Sequence, residues 1–543
     1  MAGSDEVGAA QTEVASKHGS LHVSEKTDEL NVTADGTIVD HGLHRALKRR
    51  HLQMIALGGV IGASIWYGTG FAIGYSGPIG ALVSFIVIGV DVFFVMQSLG
   101  ELSTLYPSSG AFTELAGRFI DPAVSVALGW NYWYLWASNI AAEYNLVSVV
   151  LTYWTDKVPA YGWILICWAF YQCISFLGVI VYGELEYWLA LWKIICVCVG
   201  FLLAILCNTG AIGGDYVGFR YWREPGPVVH GINGFGQSFV LAAVYYCGTE
   251  LVAITAGESR NPNKDIPKAI RQTAFRVVFI YWGMVFFAGI SAASNDPLLL
   301  NPTSNAGMSP FAIALTNAGW AHGPDLINAF IFTATFSAIN SSIYIASRTL
   351  YSLAFLGRAP KFLLWTPFRG VPVWAAVVSN LVGLLALINA AAGAGKVFQY
   401  IIALSGAATF IAWACIGITH LRFRRAWHLQ GNTAEDLPFR ALWYPYGAYF
   451  VTFLNLFLLL IQGYETFITP WKPVDFVFSY VVIVLFLILL LGWKLWHRTK
   501  LVNLAEVDLS YGRRTYLGGQ DETEEEASMF TRTFRSVGNR FRT

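Results

Sequence analysis

The chain is short of charge. Only 13% of its 543 residues are Asp, Glu, Lys or Arg, while 55% are hydrophobic and 15% aromatic. Soluble domains carry roughly 25% charged residues. Half of that cannot cover a soluble globule of this length, so a large soluble core and a disordered chain are both excluded. The chain also lacks a charge bias, with 35 Lys+Arg against 34 Asp+Glu. That balance argues against a nucleic-acid partner, which needs a basic excess. Seven cysteines make no framework: none forms a CxxC pair and all lie in or beside apolar runs. Metal clusters, nucleophile–His–acid sets and nucleotide loops are missing, which leaves an enzyme without support. The start of the chain has no basic segment followed by an apolar one, so no cleavable signal peptide is expected.

What the chain does have is apolar runs. About twelve meet the roughly 20-residue length of a membrane span. They cover approximately 52–75, 79–105, 124–153, 162–182, 186–208, 236–257, 273–294, 325–356, 372–393, 398–420, 447–467 and 473–496. The connections between the first two and between the fourth and fifth are short. Twelve spans put both ends of the chain on one side, and the positive-inside rule tests this. Inside loops then hold Arg118, Arg260, Lys264, Lys268, Arg271, Arg358, Lys361, Arg369, Arg422, Arg424, Arg425 and Arg440. Outside loops hold only Lys157, Arg220, Arg223, Lys396 and Lys472. The reading is an all-α polytopic membrane protein. Residues 1–50 form a cytoplasmic tail, 51–497 the transmembrane domain and 498–543 a second cytoplasmic tail.

Two spans carry glycine where lipid demands paired backbone groups. The first reads Gly58-Gly59-Val60-Ile61-Gly62-Ala63-Ser64-Ile65-Trp66-Tyr67-Gly68-Thr69-Gly70. The sixth reads Val244-Tyr245-Tyr246-Cys247-Gly248-Thr249-Glu250. Close helix packing through small residues is one explanation. Two glycine-broken spans five apart are also the expected mark of an inverted-repeat transporter, with substrate bound between the breaks. Free amides at one half-helix end suit an anion and free carbonyls at the other suit a cation. An α-amino acid carries both charges.

The residues then become specific. The run His51 to Gly70, Gln97-Ser98-Leu99-Gly100-Glu101 and Pro107-Ser108-Ser109-Gly110 resemble the fungal amino-acid permeases of the amino acid–polyamine–organocation superfamily. So do Gly129-Trp130-Asn131-Tyr132-Trp133-Tyr134, Gly248-Thr249-Glu250, Asn261-Pro262-Asn263-Lys264-Asp265-Ile266-Pro267, Ser347-Arg348-Thr349-Leu350-Tyr351, Gly357-Arg358-Ala359-Pro360 and Gly370-Val371-Pro372. The matches run in order from about 45 to about 510. The resemblance implies a leucine-transporter-like fold of two inverted five-helix repeats, about 51–208 and 236–420, with helices 1 and 6 broken and two further helices at about 447–496. It also implies proton-driven import of amino acids at the plasma membrane, with both termini cytoplasmic. The proton would be the coupling ion, with neither sodium nor a cofactor. Partners would be the amino acid, membrane lipid and cytoplasmic trafficking or ubiquitination machinery on the tails.

By position in that family, the amides of Ala63 and Ser64, flanked by Ile61, Gly62 and Ile65, would hold the substrate carboxylate. The carbonyls of Val60, Val244 and Cys247 would hold the ammonium, and Tyr245, Tyr246 and Gly248 would shape the pocket. The family usually has Gly-Thr-Gly or Gly-Ser-Gly where this chain has Gly62-Ala63-Ser64. That departure implies a smaller or altered substrate, and it keeps open a non-transporting amino-acid sensor. A polyamine or other amine is a further alternative.

A charge within a span costs at least ~2.5–3.5 kcal/mol and is a functional candidate by default. Glu143, Lys193 and Glu250 are the candidates for proton coupling. Glu143 is also a candidate for contact with the substrate side chain. Glu250 has a second reading, as a cap for freed amides at the break. Asp91 is read as a partner of Lys193 or as an interhelical contact. Glu101 and Arg348 lie nearer the inner ends.

Overall fold

The computed structural model describes residues 31–32, 38–40, 43–44, 54, 61–62, 64–107, 110–251, 262–300, 309–367, 370–388, 394–467 and 470–510. Nearly all of it is helix. Besides turns and loops it has a small antiparallel ladder of β1 (Asn31–Val32), β2 (Ile38–Asp40) and β3 (Leu43–His44), in that order.

The apolar runs become twelve helical units. Ser64–Leu105 is one element by hydrogen bonding, but Gly77 (φ 77°, ψ 170°) is non-helical and Pro78 follows. The left-handed φ and the missing amide divide it into α1 (64–76) and α2 (78–105). After a connecting helix, Ala111–Phe119, come α3 (Pro122–Trp154), α4 (Ala160–Ser175), α5 (Val179–Asn208) and α6 (Gly231–Tyr246). The unit α7 runs from Pro262–Arg276 through a π-helical turn, Val277–Trp282, into Gly283–Ser291. Then follow α8 (Gly323–Phe355), α9 (Val373–Val382, extended by a 3-10 turn, Gly383–Ile388), α10 (Ala394–Leu429), α11 (Tyr446–Ile461) and α12 (Pro473–His497). Six described helical stretches are long and apolar enough to cross a membrane. Of these, 403–429 is the most enclosed and 473–497 the least, so α10 is central and α12 peripheral.

One boundary moves. Expected at 182–186, the turn between α4 and α5 lies at 176–178, where Gly178 has φ 98°. Only glycine enters that region freely. The consequence is that Glu184 belongs to a helix, not to a loop, and that Glu186 lies about two turns inside one instead of at its start.

The segment after α12 also differs from a free tail. Leu504, Val507 and Leu509 are buried against Leu102, Leu105, Tyr106, Phe119, Phe423 and Trp427. The Val502 amide donates to the Ile120 carbonyl (2.9 Å), and Arg422 donates to the Val502 carbonyl (2.8 Å). Lys494 and Thr499 both reach the Asp121 carboxylate, which also caps α3 at the Ala123 amide. Residues 498–510 therefore strap the ends of α2, α3 and α10 together. The acidic run from Asp521 lies outside the described residues.

Candidate functional site

The sixth helix does break. It ends at Tyr246, and Gly248 takes φ 93°. Glu250 stands at the break: the Gly248 amide lies 3.1 Å from each of its oxygens. Tyr132 of α3 donates to it at 3.1 Å and Trp413 of α10 at 3.5 Å. A carboxylate taking donors from three elements pins the broken geometry to its neighbours. Arg276 of α7, fully buried, acts electrostatically on the same region, with Glu250, Tyr246 and Tyr281 around it.

A small cavity lies beside the break. Gly62 lines it from the first span, Leu135, Trp136, Asn139 and Glu143 from α3, and Val244, Tyr245 and Cys247 from α6. Ala338, Ser341 and Ser342 of α8 and Ser405 of α10 complete it. Its polar wall is cross-linked: Asn139 donates to Ser342 (2.9 Å) and Ser138 bonds Ser405 (3.1 Å). The volume is ≈ 30 Å³. At ~10–15 Å³ per water, that is room for about two waters, not an amino acid. The Oε2 of Glu143 and the hydroxyl of Tyr245 have no hydrogen-bond partner among the described residues. A wider cavity of ≈ 280 Å³ lies among Phe71 and Tyr75 of α1, Val240 of α6, Tyr400 of α10, and Asp475 and Phe478 of α12.

The residues singled out from the sequence separate into groups. Gly62, Val244, Tyr245, Cys247 and Glu143 come together around the small cavity. Ile61 and Ile65 are buried in the core. Val60, Ala63 and the side chain of Ser64 lie outside the described residues. Tyr246 turns away from the cavity: its hydroxyl donates to the Phe85 carbonyl (3.0 Å) and its ring meets Tyr281 at 4.3 Å. Tyr245 explains part of the glycine run, because its hydroxyl occupies the space a side chain at Gly68 would need. Lys193 donates to Ser337 (2.7 Å) and pairs with Glu186 (3.4 Å). Asp91 takes a hydrogen bond from Asn455 of α11 (2.8 Å), which makes it an interhelical contact between α2 and α11. Glu101 binds His420 and Arg424 of α10.

Three further buried ionisable groups are harder to read from the sequence. Glu186 opens its apolar run, where a charge reads as a span end. Arg276 stands four residues into its apolar run and meets the same rule for charges in lipid. His420 ends an apolar run, but α10 continues past it to Leu429, so the imidazole is 1% exposed.

A family model described as "Amino acid permease" matches residues 51–506. The chain is 42% identical over 491 residues to the general amino acid permease AGP3 of Saccharomyces cerevisiae, covering 90% of this chain and 88% of that protein. It is 36% identical to the lysine-specific permease of the same yeast (95% and 86%), and 36% to the histidine permease HisP of Lactococcus lactis (86% and 98%). Among solved structures, a variant of the Eremococcus coleocola manganese transporter aligns with TM-score 0.52 at 13% identity, over 82% of this chain and 94% of that one. That likeness shows the fold alone: two five-helix repeats followed by two helices. The chain belongs to the amino acid permease family of the amino acid–polyamine–organocation superfamily.

Proposed function

We propose that the protein imports amino acids across the plasma membrane as a proton symporter working by alternating access, with both termini cytoplasmic. One observation carries this reading. The break in α6 and the first-span Gly62 meet at a polar cavity that also holds Glu143, whose Oε2 has no hydrogen-bond partner among the described residues. The cavity is too small for a substrate, so transport requires α1 and α6 to move against α3, α8 and α10. In this orientation the ≈ 280 Å³ cavity lies on the outer side, wide enough to admit an amino acid. The backbone around Gly62 to Ser64 would take the carboxylate. The carbonyls of Val244 and Cys247 would take the ammonium, and Tyr245 would face the side chain. Glu250 keeps α6 broken, and Glu143 with Lys193 exchanges the proton. The relatives are named for general, lysine and histidine transport, which supports an amino acid as the cargo.

The alternative is a sensor that binds amino acids without net transport. The departure at Ala63 and Ser64 favours it. Uptake of a radiolabelled amino-acid panel in permease-deficient cells, at two external pH values, separates the two. Uptake that rises as the outside is acidified is the expected result. No uptake of any compound by protein delivered to the surface would refute transport.

A further inference from the structure

Lys193 does not stand alone. It belongs to a buried cluster formed by α3, α5 and α8. Its Nζ donates to Ser337 Oγ (2.7 Å), and Ser337 Oγ donates in turn to Glu186 Oε1 (2.6 Å). The same Glu186 oxygen lies 3.4 Å from Nζ. Lys193 is 2% exposed and Glu186 0%. Glu143 acts on Lys193 electrostatically from α3, while the hydrogen bonds of Lys193 among the described residues go to Ser337 and Glu186. Arg276 of α7 is the other charge acting on Lys193, and it has Glu250 as a counter-charge.

Charge bookkeeping in a low dielectric then decides the protonation. One ammonium and two carboxylates leave one negative charge in excess, which is costly away from water. A single added proton removes it. Glu143 Oε2 and Glu186 Oε2 are both buried without a hydrogen-bond partner among the described residues, but Lys193 is held to Glu186 directly and through Ser337, which leaves Glu143 as the carboxylate without an ammonium contact.

We propose that Glu186, bridged by Ser337, is the counter-charge that commits Lys193 and thereby makes Glu143 the carrier of the transported proton. This rests on the symport reading above and deepens it. An O–H bond forms on the Glu143 carboxylate with a proton taken from water on the outer side. Lys193 stays charged and paired with Glu186. When the cavity opens inward, that O–H bond breaks and the proton passes to water on the inner side. Glu186 is a positioning residue: it does not line the cavity, and it acts through Lys193.

The test uses purified full-length protein in liposomes, with a mixture of ¹⁴C-labelled L-amino acids as the probe. Two readouts are taken: counterflow exchange, which needs no net proton, and accumulation driven by an imposed pH gradient. In wild type, one coupled proton supports accumulation of up to about tenfold per pH unit. In Glu186→Gln, Lys193 is released to Glu143, and the pair is neutral without an added proton. Exchange is expected to persist, while gradient-driven accumulation falls to the level seen without a gradient. Glu186→Asp should recover part of the accumulation. Glu186→Gln that accumulates like wild type, with the same pH profile, overturns the proposal and leaves symport standing. Wild type that exchanges but never accumulates overturns the symport reading itself. Should Glu186→Gln fail to fold, Ser337→Ala keeps every charge and removes only the bridge. An altered pH profile of accumulation supports the proposal there, and an unchanged one refutes it.

Discussion

The ion-pair cluster at one end of α2 makes the sharpest prediction. Glu101 receives two bonds from Arg424, one of them 2.9 Å, together with His420 at 2.9 Å and the Ala441 amide at 2.8 Å. Glu101 is 0% exposed and Arg424 about 4%. Tyr444 lies 4.8 Å from the guanidinium and completes its surroundings. Removing one partner of a buried pair leaves the other uncompensated, at a cost of about 3–5 kcal/mol. Replacing both by apolar groups of similar size is often neutral. Glu101→Leu should therefore lose about 3–5 kcal/mol, and Arg424→Met a similar amount, while the double variant should be better than Glu101→Leu alone. The coupling expected from the cycle is about 3 kcal/mol or more, over a hundredfold in a folding equilibrium. Unfolding of the detergent-purified protein, followed by size-exclusion chromatography after stepwise heating, reads the order of the variants. If the two losses add, the residues act independently and the reasoning is wrong. Neither residue lines the cavity, so the signal reports the joint between α2 and α10.

Further predictions concern the break and the strap. Gly248→Ala forces an alanine to φ 93° and should cost about 1–3 kcal/mol of stability, seen as a lower thermal midpoint. A midpoint equal to wild type would mean that the break can relax. Ser64→Gly should change apparent affinity or selectivity in competition uptake if Ser64 meets the substrate carboxylate; unchanged values reject that contact. At Asp121, burial pushes the carboxyl up, but hydrogen bonds from Lys494, Ala123 and Thr499 outweigh it and hold it below the ordinary carboxylate range. Its contribution is thus complete above pH ~4, the unfolded value, and is lost as the pH falls through the lower folded value. Asp121→Asn should be less stable than wild type at neutral pH, and the gap should close only in acid. A gap independent of pH would assign the loss to capping geometry alone.

The fold was legible because lipid imposes length. Runs of about twenty apolar residues and a one-sided Arg and Lys bias are patterns in one dimension, and each run became a helix. The turn between α4 and α5 was misplaced because hydropathy is continuous there and only the φ of Gly178 marks it. The break at Gly248 was legible for the opposite reason, since glycine, threonine and glutamate interrupt an apolar run. The site was legible only in part. Glu143 and Tyr245 face the cavity, but adjacent Tyr246 packs against α2 and α7. Neighbours on a helix point about 100° apart, and nothing local says which one faces the centre. Ser341, Ser342 and Ser405 join the site only because α8 and α10 meet α3 there.

The sequence by itself determined that the chain is a twelve-helix membrane protein, that its sixth span breaks at Gly248 and that Asp91, Glu143, Lys193 and Glu250 lie within spans. Those follow from local composition against the price of burying polar groups. Partners were decided only by tertiary structure. Lys193 stood as close to a pairing with Asp91 as with any carboxylate when read in one dimension. Folding gives Asp91 to Asn455, Lys193 to Glu186 and the Gly248 amide to Glu250. Charge in a membrane must be matched, but the match is made across helices far apart in the chain.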